Sequence, residues 1–291
     1  MFHVEQYYIS DYCYLNVILL TSYDVNIYLY FNIRGVEMAY ILTLANQKGG
    51  VGKTTTSVNL AAFLGKKKKK VLVIDLDPQG NATSGLGVDK GQLESTIYDV
   101  IVDDVPMSDV IWESSAVNVN ICPTNINLAG AEIELVSVMS RELVLKEAIK
   151  PIENDYDYII IDCPPSLGIL TINALTASDG IIIPIQGEYY ALEGLTQLVD
   201  TINIVKKKLN KNLSILGVVL TMFDRRTQLT RQVQEEVENY FGDKVFNTHI
   251  PRNVRLAEAP SHGVSIIDYD KSSKGAKAYE SLATEVIKRT K

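Results

Sequence analysis

From residue 38 onward, short apolar runs alternate with stretches of helical periodicity. The runs are rich in Ile, Val and Leu and predict strands at residues 41–45, 71–75, 158–162, 180–184, 214–220 and 245–249. Between them, helical spacing predicts helices at about 55–64, 128–150, 168–177, 191–209, 228–240 and 273–289. Uninterrupted apolar runs are typical of strands buried on both faces. The pattern therefore predicts an α/β fold with a doubly wound, mostly parallel sheet flanked by helices, and with ligands at the carboxyl ends of the strands.

Residues 1–37 break this alternation. They hold seven tyrosines and no lysine, and they show neither steady periodicity nor a basic region typical of a signal peptide. Residues 34–37 can be encoded AGA GGA GTG GAA, a purine-rich sequence of the ribosome-binding type placed directly before the Met38 codon. We therefore predict that 1–37 is a disordered extension upstream of the true start, and that 38–291 is the functional domain. A genuine N-terminal arm is the alternative.

Composition adds three limits. The chain has 291 residues, of which 46% are hydrophobic, which is enough for one large α/β domain. Its net charge of −7 means that any contact with nucleic acid requires a local basic patch. Its three cysteines show neither metal-ligand spacing nor a disulfide framework, which suits a reducing cytoplasm.

A phosphate-binding loop is predicted at residues 47–55, Gln-Lys-Gly-Gly-Val-Gly-Lys-Thr-Thr. The stretch fits G-x-x-x-x-G-K-[ST] loosely, because Lys48 and a glycine pair occupy the spacing before Gly52. An apolar run precedes it and a helical pattern follows it, as a phosphate loop requires. We expect Lys53 to reach the β- and γ-phosphates and the Thr54 hydroxyl to bind Mg²⁺. A solvated glycine-rich turn is the alternative, but such a turn does not need Lys-Thr-Thr at the start of a helix.

Carboxylates follow two further apolar runs. Asp75 ends the second predicted strand, Asp77 follows it two residues later, and Asp162 ends the third. Because the carboxyl ends of parallel strands lie at one edge of the sheet, we expect all three beside the phosphate loop. Asp162 fits the role of holding Mg²⁺, and either Asp77 or Asp75 fits that of orienting the attacking water. Each aspartate taken alone also suits a helix N-cap.

Together these motifs resemble the deviant Walker A ATPases of the ParA/MinD superfamily, and residues 38–291 are similar to the chromosomal ParA, or Soj, family. The resemblance rests on residues 48–55, 75–87, 162–168, 188–195, 250–256 and 259–263. It implies an ATPase that uses ATP and Mg²⁺, with Lys48 crossing a dimer interface to the partner's phosphates. It also favours Asp77 over Asp75 for positioning the hydrolytic water, with Lys48, Lys53 and Asp77 as the catalytic set and Thr54 and Asp162 as the metal set. The nucleotide-binding positions that it implies are Gly49, Gly50, Val51, Gly52, Lys53, Thr54, Thr55, Met222 and Pro251.

The same resemblance implies partners. The ATP-bound homodimer of the family binds double-stranded DNA without sequence preference, and the protein ParB stimulates hydrolysis. Arg226 and Arg255 match the family's DNA-contacting arginines, with Arg225 and Arg252 as nearby candidates of weaker support. The resemblance therefore implies a cytoplasmic, nucleoid-associated chromosome-partitioning switch without a membrane partner.

Two other functions share the loop. A MinD-like ATPase acting at a membrane surface needs a basic amphipathic C-terminal helix with large apolar residues, whereas residues 279–291 read as a helix packed on the domain. An iron–sulfur reductase needs two cysteines per subunit at a dimer face. Cys163, beside Asp162, is predicted to be a core residue, and Cys122 lies in a segment without cluster context.

Overall fold

The computed structural model describes residues 3–10, 13–19, 38–187 and 193–291. These residues form two units, Met1–Met38 and Ala39–Lys291. In the first unit, β1 (His3–Ser10) pairs antiparallel with β2 (Cys13–Leu19). The rest of the predicted extension, including residues 20–37, lies outside the described residues. The assignment of Met38 as the true start stays a prediction.

The second unit is built on a seven-stranded sheet in the order β5-β6-β4-β7-β3-β8-β9. All neighbouring pairs are parallel except β5 with β6. The strands are β3 (Tyr40–Leu44), β4 (Val71–Asp75), β5 (Trp112–Glu113), β6 (Val119–Cys122), β7 (Tyr158–Asp162), β8 (Gly180–Gln186) and β9 (Ser214–Thr221). This confirms the doubly wound, mostly parallel α/β fold.

Helices cover both faces of this sheet. Alternate residues of β4 enter different cores: Val71 and Val73 pack with Phe63 and Tyr279, whereas Leu72 and Ile74 pack on the opposite face. Both faces of the strand are thus buried, as its unbroken apolar run predicts. The helices are α1 (Lys53–Lys66), α2 (Asn81–Gly85), α3 (Ile97–Val102), α4 (Leu128–Glu134), α5 (Val144–Ile149), α6 (Ile169–Ala177), α7 (Glu193–Lys208), α8 (Gln228–Phe241), α9 (Val254–Glu258), α10 (Ile266–Asp270) and α11 (Lys274–Arg289).

The predicted strand at 245–249 is wrong. Its link to β9 is limited to an isolated bridge between Val245 and Val218 and a hydrogen bond of 2.8 Å from the N–H group of Phe246 to the carbonyl of Val218. The backbone N–H groups of Asn247 and Thr248 donate instead to the carboxylate of Glu285 on α11, at 3.0 and 2.9 Å. A side-chain acceptor from a distant helix therefore takes the place of a strand ladder.

The predicted helix at 128–150 is also wrong as one element. After α4, a 3₁₀ turn at Leu135–Ser137 leads into a loop, and α5 begins only at Val144. Ser140 in that loop is left-handed, with φ 54°, a conformation that ends a right-handed helix. Strands β5 and β6 escaped the sequence pattern because they are only two and four residues long. Within the described residues α7 begins at Glu193; residues 188–192 of the predicted motif and helix lie outside them.

Candidate nucleotide-binding site

The connection from β3 to α1 has the backbone form of a phosphate loop. Gly50 and Gly52 have φ values of 73° and 86°, in the left-handed region that residues with a Cβ rarely adopt. The loop is fixed to the sheet, because the hydroxyl of Thr221 on β9 donates a hydrogen bond to the carbonyl of Val51 at 2.8 Å. Gly52 caps α1 without a side-chain hydrogen bond, so the first N–H groups of the helix are not taken by a capping side chain. They suit an anion.

Lys53 lies inside this loop. Its residue is 6% exposed, and its Nζ donates to the carbonyl oxygen of Lys48 at 3.3 Å. Burial lowers the pKa of Lys53, and the nearby Asp162, Cys163 and Asp77 oppose that shift. A cation in such a position is directed at whatever anion the loop encloses.

Asp162, at the end of β7, binds two hydroxyls of α1. Its Oδ2 accepts from Thr54 Oγ1 at 2.7 Å and its Oδ1 from Ser57 Oγ at 2.8 Å. The carboxylate is fully buried. Sequence reasoning paired Thr54 with Asp162 but missed Ser57, although its i+3 spacing from Thr54 places both on one face of the helix.

Asp75 and Asp77 have different surroundings. Asp75 is fully buried, and it accepts from the backbone N–H and the hydroxyl of Thr83, both at 2.8 Å, and from the N–H of Asp77 at 3.2 Å. Asp77 uses one oxygen to accept from the N–H of Gln79 at 3.0 Å. Asp75 therefore holds the loop that follows β4, and Asp77 is the carboxylate presented by that loop beside Lys53.

The sheet register sets two buried carboxylates side by side. Asp75 on β4 is paired with Asp162 on the neighbouring β7. Burial, followed by the charge of Asp162, raises the pKa of Asp75; burial is also the main cause that raises the pKa of Asp162. Such a pair favours a cation at this edge of the sheet.

A cavity of about 310 Å³ adjoins the loop. Gly52 and Thr55 line it on the loop side, and Met222 and Pro251 line it from the segments after β9 and α8. Met222 and Pro251 are two of the nucleotide-binding positions that the family resemblance implies. A bridge between Phe223 and Pro251 joins their segments.

The residues present fit Mg²⁺ and ATP. The loop offers backbone donors and a buried lysine, and Thr54 and Asp162 offer the hard oxygen ligands that Mg²⁺ prefers. The part of the chain that the structure describes holds no group of three or more His, Cys, Asp or Glu suited to a metal. A cation here would thus also be held by phosphate oxygens and water, which is usual for Mg²⁺ at nucleotide sites.

The predicted DNA-contacting arginines are on the surface and are paired with acids. The side chain of Arg226, in the loop after β9, is 89% exposed and binds both oxygens of Asp224, at 2.8 and 2.9 Å. This contact lowers the pKa of Asp224 to about 2. Arg255 on α9 binds Glu258 at 2.8 Å and lies 3.9 Å from Asp270.

Cys122 and Cys163 are both fully buried, and burial raises the pKa of both thiols. Neither is placed to hold a cluster at a surface between two subunits.

A family model described as an AAA domain matches residues 39–215. The chain is 60% identical over 249 residues to the sporulation initiation inhibitor protein Soj of Bacillus subtilis (strain 168), covering 86% of this chain and 98% of that protein. It is 50% identical over 252 residues to the chromosome-partitioning ATPase Soj of Treponema pallidum (strain Nichols), covering 87% of this chain and 98% of that one.

The fold is also found in solved structures. Cobyrinic acid a,c-diamide synthase from Mycobacterium smegmatis, with a bound ATP analogue and magnesium, superposes with a TM-score of 0.77 at 37% identity, covering 87% of this chain and 96% of that one. The septum site-determining protein MinD from Pyrococcus horikoshii OT3, complexed with Mg-ADP, has a TM-score of 0.72 at 29% identity, covering 87% and 98%.

Proposed function

This chain belongs to the family of Soj and ParA chromosome-partitioning ATPases, and we propose that it is an ATP-dependent switch for attachment to DNA. It is a P-loop ATPase whose nucleotide is ATP and whose metal is Mg²⁺. In the proposal, the ATP-bound homodimer binds double-stranded DNA without sequence preference and is associated with the nucleoid. ParB stimulates hydrolysis and so releases the protein from DNA. The observation that carries the proposal is the convergence of Lys53, the Thr54–Asp162 contact and Asp77 on one glycine-rich loop.

Phosphoryl transfer needs positioning and charge neutralisation more than covalent chemistry. Lys53 and the N–H groups at the start of α1 would bind the phosphates, and Thr54 and Asp162 would hold Mg²⁺. When bound, Mg²⁺ neutralises charge that develops on the transferred phosphoryl group. Since Thr54 donates its proton to Asp162, the lone pairs of its oxygen are left for a cation.

Asp77 orients the attacking water in this proposal. Its neighbour Asp75 already accepts three hydrogen bonds and is fully buried, so it has little capacity left for a water. Asp77 lies near Lys53, and one of its two carboxylate oxygens accepts a hydrogen bond from the N–H group of Gln79. Its remaining oxygen is the better acceptor for water at the γ-phosphate.

Dimerisation would complete the site. Lys48 sits at the outer edge of the loop, directly before the exposed Gly49, and its backbone is fixed by Asn46 and Lys53. From that edge its side chain would reach the phosphates of a facing subunit, where an added cation stabilises transition-state charge. Gly49 would lie where the two nucleotides approach each other.

The DNA surface is proposed around Arg226 and Arg255. In the monomer each arginine is neutralised by an acid, so DNA phosphates must replace Asp224 and Glu258 as partners. Two subunits would pool their arginines. Binding that depends on phosphate contacts should fall steeply as salt is added.

Co-sedimentation with DNA tests the proposal. Retention is expected with ATP, not with ADP or without nucleotide, and should decrease when ParB is added. Arg226→Glu and Arg255→Glu should each lose retention while keeping ATP-dependent dimers, and Lys211→Glu, on an exposed loop elsewhere, is the matched control. Full retention by both arginine variants would move the DNA surface to another part of the molecule.

A MinD-like role at a membrane is disfavoured by α11. The large apolar residues of this helix, Tyr279, Leu282 and Val286, are buried in the core shared with α1, so they are not available for insertion into lipid. Among the described residues, no helix combines the length and apolarity that a membrane crossing requires. Sedimentation with anionic liposomes separates the two roles, since binding to vesicles with ATP but not to DNA would favour the membrane role.

A further inference from the structure

A groove of about 590 Å³ lies between the end of α3 and the segment that leads into α5. It shares no lining residue with the nucleotide cavity. Its apolar lining includes Met107, Val138, Met139, Leu143 and Val144. A volume of this size accommodates several side chains of a ligand.

The rim of the groove exposes large apolar side chains. Val136, Val138 and Met139 are 66%, 43% and 91% exposed. Grouped exposure of this kind marks interaction surfaces more often than scattered apolar residues do. The rim is also fixed in shape: Arg141 donates to the carbonyl of Val136 at 3.1 Å, and the next turn is closed by the N–H of Leu143 bonding to the carbonyl of Ser140 at 2.8 Å.

The chain segment that forms this groove, residues 94–155, is the acidic part of the protein. Residues 94–155 carry twelve acids and three bases, whereas the rest of the chain carries 23 acids and 25 bases. Asp104 and Glu147 line the groove itself. Of the three bases, Arg141 is paired with Glu142 at 3.4 Å. The flank therefore presents negative charge around exposed apolar side chains.

We propose that this groove binds a positively charged, amphipathic segment of a protein partner. Apolar side chains of the segment would fill the groove, and its basic side chains would face the surrounding acids. DNA is excluded as the occupant by like charge, and a second copy placed symmetrically would set the same acidic flanks against each other. The inference rests on the proposed function in one respect: the groove would be the surface through which a partner acts on the ATPase.

One helix joins the groove to the nucleotide site. Asn173 on α6 donates to the carbonyl of Arg141 at 2.7 Å and accepts from the N–H of Leu145 at 3.1 Å. The same helix begins at Ile169, directly after the loop that follows Asp162. A partner seated in the groove thus contacts a segment hydrogen-bonded to the element that follows the metal-binding carboxylate.

Fluorescence anisotropy with the full chain tests the groove. The probe is a short fluorescein-labelled peptide of leucine and lysine at helical spacing, and its matched control has every lysine replaced by glutamate. The lysine peptide should bind and the glutamate peptide should not. The double variants Asp104→Lys/Glu147→Lys and Val138→Ser/Met139→Ser should each weaken binding at least about tenfold.

The control variants lie on α8, which also exposes acids and apolar residues. Glu235→Lys/Glu236→Lys and Leu229→Ser/Tyr240→Ser should bind the lysine peptide within about twofold of the unaltered chain. Circular dichroism verifies that all four variants fold. Unchanged binding by the groove variants, or equal binding of the two peptides, overturns the proposal.

The same proteins are tested for ATP-dependent dimers and DNA retention, which the groove variants should keep. Loss of the dimer in the groove variants would show that a second copy occupies the groove, and would overturn the proposal. Absence of ATP-dependent DNA retention in the unaltered chain, together with groove-specific peptide binding, would reject the DNA switch and leave the groove standing. ATP-dependent DNA retention by the unaltered chain, without peptide binding, would reject the groove and leave the DNA switch standing.

Discussion

At the scale of single residues, the site depends on which polar groups already have hydrogen-bond partners within the protein. Lys53 is nearly sealed in its loop, Asp75 is saturated by three donors, and Asp77 keeps an oxygen available. Burial makes each of these groups sensitive to substitution, because an unpaired polar group in the interior costs more than an exposed one.

Replacing Lys53 tests the phosphate assignment. Lys53→Ala removes a charged donor directed into the loop, so the Kd for ATP should rise about a hundredfold, equivalent to about 2.7 kcal/mol. Isothermal titration calorimetry with ATP and Mg²⁺ measures this. Lys66→Ala, at the exposed end of the same helix, should leave the Kd for ATP unchanged. Full ATPase activity in Lys53→Ala would contradict the phosphate-loop assignment.

Replacing Asp77 tests the water-positioning role. Asp77→Ala should bind ATP and stay on DNA as a dimer that does not turn over, because positioning of the water is lost while phosphate binding is kept. Phosphate release and DNA co-sedimentation are measured on the same sample. Unchanged hydrolysis would transfer the role to Asp75.

Replacing Asp75 should lower the stability of the fold more than replacing Asp77 does. Asp75→Ala leaves the N–H groups of Asp77 and Thr83 and the hydroxyl of Thr83 without this acceptor. The free energy of unfolding should fall by about 2 kcal/mol, measured with urea in the absence of nucleotide. Asp77→Ala is the matched variant: it removes the acceptor of one N–H group, that of Gln79, so its loss should be smaller, about 1 kcal/mol.

At the scale of elements, α11 does more than cover one face of the sheet. Arg289 near its end donates to the backbone carbonyls of Leu216, Asp243, Lys244 and Val245, and its guanidinium lies 4.2 Å from the ring centre of Phe246. One side chain thus ties the helix to β9 and to the segment after α8. That segment leads to Pro251, at the nucleotide cavity.

Removing this tie should destabilise the domain. Arg289→Ala leaves four carbonyls without their donor, so the free energy of unfolding should decrease by about 3 kcal/mol. Urea unfolding monitored by circular dichroism measures the change. Lys288→Ala, the exposed neighbour on the same helix, is the control, and equal stability of the two variants would show that the clamp contributes little.

At the scale of the whole molecule, the proposed mechanism requires two copies joined through ATP. Light scattering should show a dimer for Asp77→Ala at saturating ATP and Mg²⁺, and a monomer when EDTA removes the metal, because phosphate charge is then uncompensated. Lys48→Ala should also fail to dimerise. A single protomer under all of these conditions would reject the dimer and with it the switch.

The sequence by itself determined five of the seven strands of the sheet and the location of its chemistry. Apolar runs and helical repeats are local patterns, so strands such as β4 and β7, and the loop between β3 and α1, follow from the order of residues alone. Because parallel strands end at one edge, the same order also brings Asp75, Asp77 and Asp162 to the loop.

Only the tertiary structure decided which polar groups form hydrogen bonds with each other. Ser57 reaches Asp162, Thr83 saturates Asp75, and Glu285 takes the N–H groups that a strand at 245–249 would have used. These pairs are separated by 105, 8 and 38 residues, respectively. Periodicity reports which face of an element is buried, but hydrogen-bond partners are settled when elements pack. The groove that sets Asp104 and Glu147 beside exposed apolar side chains is also formed only by that packing.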